Sequence, residues 1–139
     1  MDTHQRIAHR VLAEHSAIAE RLRTNPAPVL DYALGNIARW SKEFAPDRKP
    51  DWLVEWKQLL KGPLESLVVA LTTDSDVATH LRETSPFVGF LTFKERVEVL
   101  RHVDPDMART LESFEVVHGE SAALSAESAG HSRSPTKGA

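Results

Sequence analysis

Seven histidines are the first candidates for chemistry in this 139-residue chain, which contains no cysteine. Imidazole is both a common metal ligand and a common acid–base group. His4, His9 and His15 fall on the first predicted helix, but spacings of five and six residues do not place two rings on one helical face. No HExxH arrangement accompanies them. We therefore predict no metal site and no cofactor, and we expect surface histidines.

One spacing resembles a nuclease motif. Arg96 and His102 are six residues apart, which resembles the R-x(4–6)-H motif of the HEPN ribonucleases, whose arginine and histidine share a cleft and activate an RNA 2′-hydroxyl. The resemblance implies RNA cleavage by this pair, although Val97 stands where that motif often has a polar residue. The chain shows no glycine-rich phosphate loop, Ser-His-Asp set or paired-carboxylate motif. The main prediction is therefore a non-enzymatic protein, with the ribonuclease as a lesser alternative.

The stretch SPFVGFLTF at 85–93 concentrates apolar side chains where a helix should break. Pro86 disfavours helix in the residue before it, and Gly89 permits backbone conformations that other residues resist. A turn is therefore predicted. Phe87 and Phe90 would either fill a gap between two helices, as apolar residues usually do, or stand on the surface as anchors for a partner.

The three tryptophans are also clustered. Trp40, Trp52 and Trp56 lie within 17 residues of one another, and the last two share a helical face. They suit either a helix–helix contact or a partner groove. Arginines near these aromatic residues could add hydrogen bonds at the rim of an interface. The predicted partner-binding residues are Phe87, Phe90, Trp40, Trp56, Arg39, Arg82 and Arg96.

The charge distribution argues against nucleic acid as the main ligand. Residues 1–103 hold fourteen Lys/Arg and fourteen Asp/Glu, whereas residues 104–139 hold three basic and six acidic groups and so supply the whole net charge of −3. A nucleic-acid-binding domain is usually basic. Predicted helices at 75–84 and 92–103 could form a helix-turn-helix, but about seven residues separate them instead of the usual 3–4. These observations make a DNA-binding transcriptional regulator the alternative function and not the main prediction.

Apolar residues recur at helical spacing along most of the chain, which predicts an all-α fold. Proline and glycine separate the helices at Asn25-Pro26, Pro46–Pro50 and Gly62-Pro63. We expect the second helix to begin near Pro28. Asp74 or Ser75 should cap the fifth helix, a capping box of Thr92 and Glu95 should open the next, and Asp104-Pro105 should open the last.

These patterns predict a single compact bundle of five to seven short helices in residues 1–117. Residues 118–139 are rich in Gly, Ser and Ala and are predicted to be a disordered tail. The chain has no run of apolar residues long enough for a membrane span and opens without a signal-peptide pattern. We therefore expect a cytoplasmic protein that does not bind membranes.

Four motifs together resemble a known group of proteins. They read N-x-x-R-W at 36–40, W-x-x-x-W-x-x-L-L-x-G-P-L at 52–64, L-R-x-x-S-P-F-x-G-x-L at 81–91 and E-R at 95–96. This pattern resembles small all-helical antitoxin-like proteins of actinobacteria. The resemblance implies a protein that binds and neutralises a partner toxin encoded next to it, with repression of its own operon as a further implied role.

Overall fold

A computed structural model of the chain describes residues 1–115, which form seven helices and no strand. The prediction of an all-α bundle is confirmed. The predicted tail at 118–139, and the last two residues of the predicted domain, lie outside the described residues. The helices are α1 (Thr3–Thr24), α2 (Pro26–Ser41), α3 (Asp51–Lys61), α4 (Leu64–Thr72), α5 (Asp76–Arg82), α6 (Phe93–Val103) and α7 (105–115).

The long helix α1 is the centre of the bundle. Its side chains contact α2, α4, α5 and α6. Ile18, Ala19 and Leu22 form its buried stripe, and this three-to-four-residue spacing is what a helix needs to present one apolar face. With 22 residues, α1 is long enough to contact four other helices.

The main core fills the space between α1 and the helices α2 to α5. Its interior side chains include Ala33 and Ile37 of α2, Leu53 of α3, and Leu67 and Leu71 of α4. Burial of such side chains contributes about 1.5–3 kcal/mol each. This core therefore supplies most of the apolar free energy that holds the bundle together.

The helices begin at the predicted capping residues, with one difference. Thr92 and Glu95 form the predicted capping box of α6, and Ser75 caps α5 by accepting from the Ala78 amide. Helix α2, however, begins at Pro26 and not near Pro28. Both prolines are tolerated in the first turn because the amide groups there have no acceptor within the helix.

A second, smaller core joins α6 to α7 through Val97, Leu100 and Ala108. Asp104 links this unit to α1, because its carboxylate accepts hydrogen bonds from Arg10 at 2.8 Å and Arg6 at 3.4 Å. The bond from Arg10 is the main reason why the pKa of Asp104 is lowered. The same carboxylate caps α7. Asp104 therefore positions two helices at once.

Arg82 lies in the interior, which corrects the expectation that it stands at the rim of an interface. Its side chain is buried at the carboxyl end of α4, where the guanidinium donates to the carbonyl oxygens of Ala70 (3.2 Å) and Thr73 (2.9 Å). Carbonyls in the last turn have no amide partner within the helix, and a cation there is favoured by the helix dipole. Arg82 therefore acts as a cap for α4.

Among the helices of residues 1–115, none is both long enough and apolar enough to cross a lipid bilayer.

We expect Arg82→Met to lower the free energy of unfolding by about 2–3 kcal/mol, because buried carbonyl groups at the end of α4 lose their donor. Urea denaturation followed by circular dichroism measures this loss. Arg23→Met is the matched control, since Arg23 forms only an exposed pair with Glu20, and it should cost less than about 0.5 kcal/mol. Equal effects of the two substitutions would contradict the capping role.

Candidate functional site: a groove between α1 and the turn segment

Four of the seven predicted partner-binding side chains are almost completely buried. The structure buries Phe87, Trp56, Trp40 and Arg82, and Phe87 and Trp56 have no exposed area at all. The expectation that Phe87, Trp40 or Trp56 stands on the surface as an anchor is therefore corrected in favour of the alternative, in which these rings fill gaps between helices. The physical reason is that the bundle core can cover these large aromatic rings completely, and burial of so much apolar area outweighs exposure to water.

Residues 85–91, here called the turn segment, connect α5 to α6. Phe87 points from this segment into the core, where its ring meets Trp56 edge to face with centroids 6.0 Å apart. The indole N–H of Trp56 donates to the hydroxyl of Thr84, just before the segment, at 3.1 Å. Helix α3 thus holds the segment by an aromatic contact and the residue before the segment by a hydrogen bond.

Helix α2 holds the turn segment by its backbone. Asn36 is buried and donates from Nδ2 to the Pro86 carbonyl at 2.7 Å, while the Tyr32 hydroxyl donates to the Val88 carbonyl at 3.0 Å. Backbone carbonyls in a non-helical segment need such partners when they lie away from water. Neither residue is among the predicted partner-binding residues, although Asn36 opens the N-x-x-R-W motif and lies on the apolar face of α2, beside Ala33 and Ile37.

Helix α1 holds the start of the segment through His15, which is 2% exposed; the expectation of surface histidines is wrong at this position. Nδ1 of His15 lies 2.8 Å from the Val11 carbonyl, and Nε2 lies 2.7 Å from the Ser85 hydroxyl. A carbonyl can only accept, so Nδ1 carries the proton of the neutral ring and Nε2 accepts from Ser85. The Ser85 oxygen in turn accepts from the Phe87 amide at 3.1 Å.

The surroundings of His15 favour its neutral form. Burial lowers its pKa to about 4, and the nearby positive charge of Arg82 also lowers it. A signal for this burial was present in the sequence, because His15 falls four residues after Val11 and three before Ile18, on the apolar stripe of α1.

Val88 and Gly89 point away from the core and form one wall of a surface groove. The opposite wall belongs to α1, and the start of α6 closes one side. The groove has a volume of about 460 Å³, and Ile7 and Val88 on facing walls remain 43% and 56% exposed. The lining consists mainly of apolar side chains with charged groups among them: Ile7, Val11, Glu14, His15, Ile18, Arg82, Glu83, Val88, Leu91, Phe93 and Arg96.

An ion pair crosses the groove lining from α1 to α6. The Arg96 guanidinium donates from Nε to a carboxylate oxygen of Glu14 at 2.6 Å. Burial raises the pKa of Glu14, and the charge of Arg96 opposes that change. The Glu14 side chain is mostly covered, whereas about half of Arg96 remains exposed. Arg96 thus lies at the rim of the groove.

Phe90 and Arg39, the two remaining predicted residues, lie near the surface on the α2 side. The Phe90 ring is partly buried, packs edge to face against Tyr32 and carries the Arg21 guanidinium 5.4 Å above its centroid. Arg39 is exposed and donates to the side-chain oxygen of Asn36. The structure therefore separates the seven predicted residues, and only Arg82 and Arg96 line the groove.

The structure also locates the residues considered for RNA chemistry and DNA reading. Six residues of an α-helix advance by about 600°, so Arg96 and His102 lie on different sides of α6. Arg96 is paired with Glu14, and Arg101 of α6 is paired with Glu98 and Glu112. The arginines of this helix are thus already neutralised by carboxylates, which weakens α6 as a surface for phosphate groups.

The 2.7 Å distance between His15 Nε2 and the Ser85 hydroxyl resembles that of a catalytic base and its nucleophile, but the hydroxyl is not accessible to a substrate. Ser85 is only 2% exposed and does not line the groove, so a substrate cannot reach its hydroxyl. Within residues 1–115, no group of three His, Asp or Glu side chains is placed to hold a metal ion.

Comparisons of this chain with known protein families, with curated proteins and with solved structures give no match.

We expect Gly89→Ala to lower the free energy of unfolding by about 1–3 kcal/mol, because Gly89 has φ +93°, a left-handed conformation that other residues resist. A Cβ there would also lie 2.6 Å from the Tyr32 hydroxyl oxygen. In a Tyr32→Phe background the cost of Gly89→Ala should be smaller, because the obstructing hydroxyl is gone. A double-mutant cycle measured by urea denaturation checks this coupling.

The control for this cycle is Gly35→Ala. Gly35 lies within α2 with open space around the position of a Cβ, so alanine should stabilise the protein by about 0.5–1 kcal/mol. Destabilisation at both glycines, or no coupling between residues 32 and 89, would contradict the described packing of the turn segment.

Proposed function

We propose that this protein is a non-enzymatic, antitoxin-like binding module that neutralises a partner protein by docking it in the groove between α1 and the turn segment. The observation that carries the proposal is the exposure of Ile7 and Val88 on facing walls of an apolar groove. A few well-packed side chains near the centre of an interface supply most of its binding free energy, and burial of apolar area is favourable there.

The rigidity of the groove supports this role. The turn segment is held by side chains from three helices, namely His15 of α1, Asn36 of α2 and Trp56 of α3. A wall that is already ordered in the free protein costs little conformational entropy when a partner binds. Docking would then require few changes on this side of the interface.

The charged groups of the groove can orient a bound partner. Half of the Arg96 side chain is exposed beside Glu14, so a partner can offer a carboxylate to the arginine while its apolar side chains contact Ile7 and Val88. Charged groups at the rim of an interface contribute mainly to specificity and association rate. The partner surface that best fits this groove is an apolar segment, such as the face of an amphipathic helix, flanked by an acidic residue.

The test uses the product of the adjacent reading frame as the partner. The full chain is co-expressed with that product, growth arrest and its relief are scored, and the affinity of the purified pair is measured by calorimetry. Val88→Asp and Ile7→Asp should each weaken binding at least about tenfold and abolish relief, because each places a charge in an apolar groove.

Val77→Asp is the matched control. Val77 lies on α5, is 78% exposed and does not line the groove, so its substitution should leave affinity and relief unchanged. Full relief by a folded Val88→Asp, Ile7→Asp double variant would reject the groove as the docking site. Absence of any complex between the two wild-type proteins would reject the antitoxin-like function with this partner.

A further inference from the structure

The hydrogen bond between His15 and Ser85 joins the two walls of the groove. His15 belongs to α1, which forms one wall, and Ser85 begins the turn segment, which forms the other. His15 itself also lines the groove, so displacement of the nearby side chains would give its ring a direct path to water. Three residues after Ser85, Val88 contributes its exposed side chain to the groove.

We propose that this contact makes the groove sensitive to acid: protonation of His15 releases Ser85 and lets the turn segment move away from α1. The proton comes from solvent and is bound at Nε2, the ring nitrogen that accepts from Ser85 in the closed state. The Ser85 hydroxyl, which donates to Nε2 in the closed state and accepts from the Phe87 amide, must then turn its own hydrogen elsewhere. His15 is 2% exposed in the closed state, so burial opposes a positive charge on its ring there.

The charged groups around His15 do not stabilise a positive ring. Arg82 of α5 is nearby and buried, and its charge opposes a second cation. Glu14 of α1 forms an ion pair with Arg96 of α6. Glu83 lines the groove and is exposed to solvent. Helix α4 faces this region with buried apolar side chains such as Leu67 and Leu71. Solvent is therefore the better environment for the protonated ring.

The opening should be local because the remaining contacts of the turn segment do not involve a group that titrates in this range. Asn36 still binds the Pro86 carbonyl and Tyr32 still binds the Val88 carbonyl. Release of Ser85 therefore loosens the amino-terminal part of the segment while α1 to α4 stay packed. Such openings of a small structural unit have lower free energies than global unfolding.

The direction of the pH dependence follows from the lowered pKa of His15. The neutral ring is favoured in the closed state, so the contact contributes fully above the ordinary imidazole pKa of about 6.5 and is lost progressively as pH falls towards about 4. Between these limits the opening equilibrium should rise about tenfold for each pH unit.

Amide hydrogen exchange of the full chain, followed by NMR between pH 7 and 4.5, tests this inference. The Phe87 amide, which donates to Ser85, should lose about tenfold in protection per pH unit below about 6.5 after correction for intrinsic exchange rates. Its exchange at pH 5 should be insensitive to low urea. The Leu100 amide in α6 should be better protected and should follow global unfolding in its urea dependence.

His15→Gln removes the titrating group and keeps an acceptor for Ser85, so the Phe87 amide should lose its pH dependence; His15→Asn serves if that variant does not fold. His9→Gln is the control, because His9 is an exposed histidine of the same helix, and it should behave as wild type. Constant Phe87 protection in wild type, an unchanged slope in the His15 variants, or identical urea dependence of Phe87 and Leu100 would overturn the inference.

The consequence for partner binding rests on the proposed function, because a loosened turn segment would weaken docking at acidic pH. The exchange experiment itself uses the free protein. Its result therefore does not depend on whether a partner binds in the groove, and the two proposals can fail separately.

Discussion

The edge-to-face contact between Phe87 and Trp56 is the interaction on which the arrangement of the turn segment depends. The connection between α5 and α6, residues 83–92, lies outside the helices and has many backbone groups that need partners. Burial of Phe87 brings these groups close to α1, α2 and α3, where His15, Asn36 and Trp56 provide hydrogen bonds at and beside the segment. Apolar burial and hydrogen bonding therefore support each other, and neither would order the segment as well alone.

The same contact determines what the surface offers. Once Phe87 is directed into the core, Val88 is turned outward and Gly89 must adopt a positive φ to continue the chain past Tyr32. The exposed apolar wall of the groove is thus a geometric consequence of burying the neighbouring phenylalanine. A binding surface formed in this way is attached directly to the buried core through Phe87.

The charged side chains fall into two groups: those that are buried and stabilise the fold, and those that are exposed enough to bind a partner. Arg82 is enclosed and serves the carboxyl end of α4, and Asp104 joins α1 to α7. Arg96 differs because its ion pair with Glu14 leaves half of the side chain in contact with solvent. Only a charge of this kind can exchange its partner at modest cost, since breaking a fully enclosed pair leaves an uncompensated charge inside the protein.

The sequence by itself determined the helices and their ends. Periodicity identified the apolar faces. The capping box of Thr92 and Glu95 was located correctly, and Ser75 is one of the two residues predicted to cap α5, because such signals act between residues three positions apart. The second helix was misplaced by only two residues, where two prolines compete as its start. All of this information is local in the chain.

Only the tertiary structure decided which side chains of the turn segment are exposed. The sequence showed that Phe87, Val88 and Phe90 surround a helix break, but not which of them faces inward, because that depends on Trp56 and Asn36 from helices far away in the chain. The burial of His15 and Arg82 was hidden for the same reason. A polar residue is stable in the interior only where its hydrogen-bond partners converge, and this convergence is a property of the packed bundle.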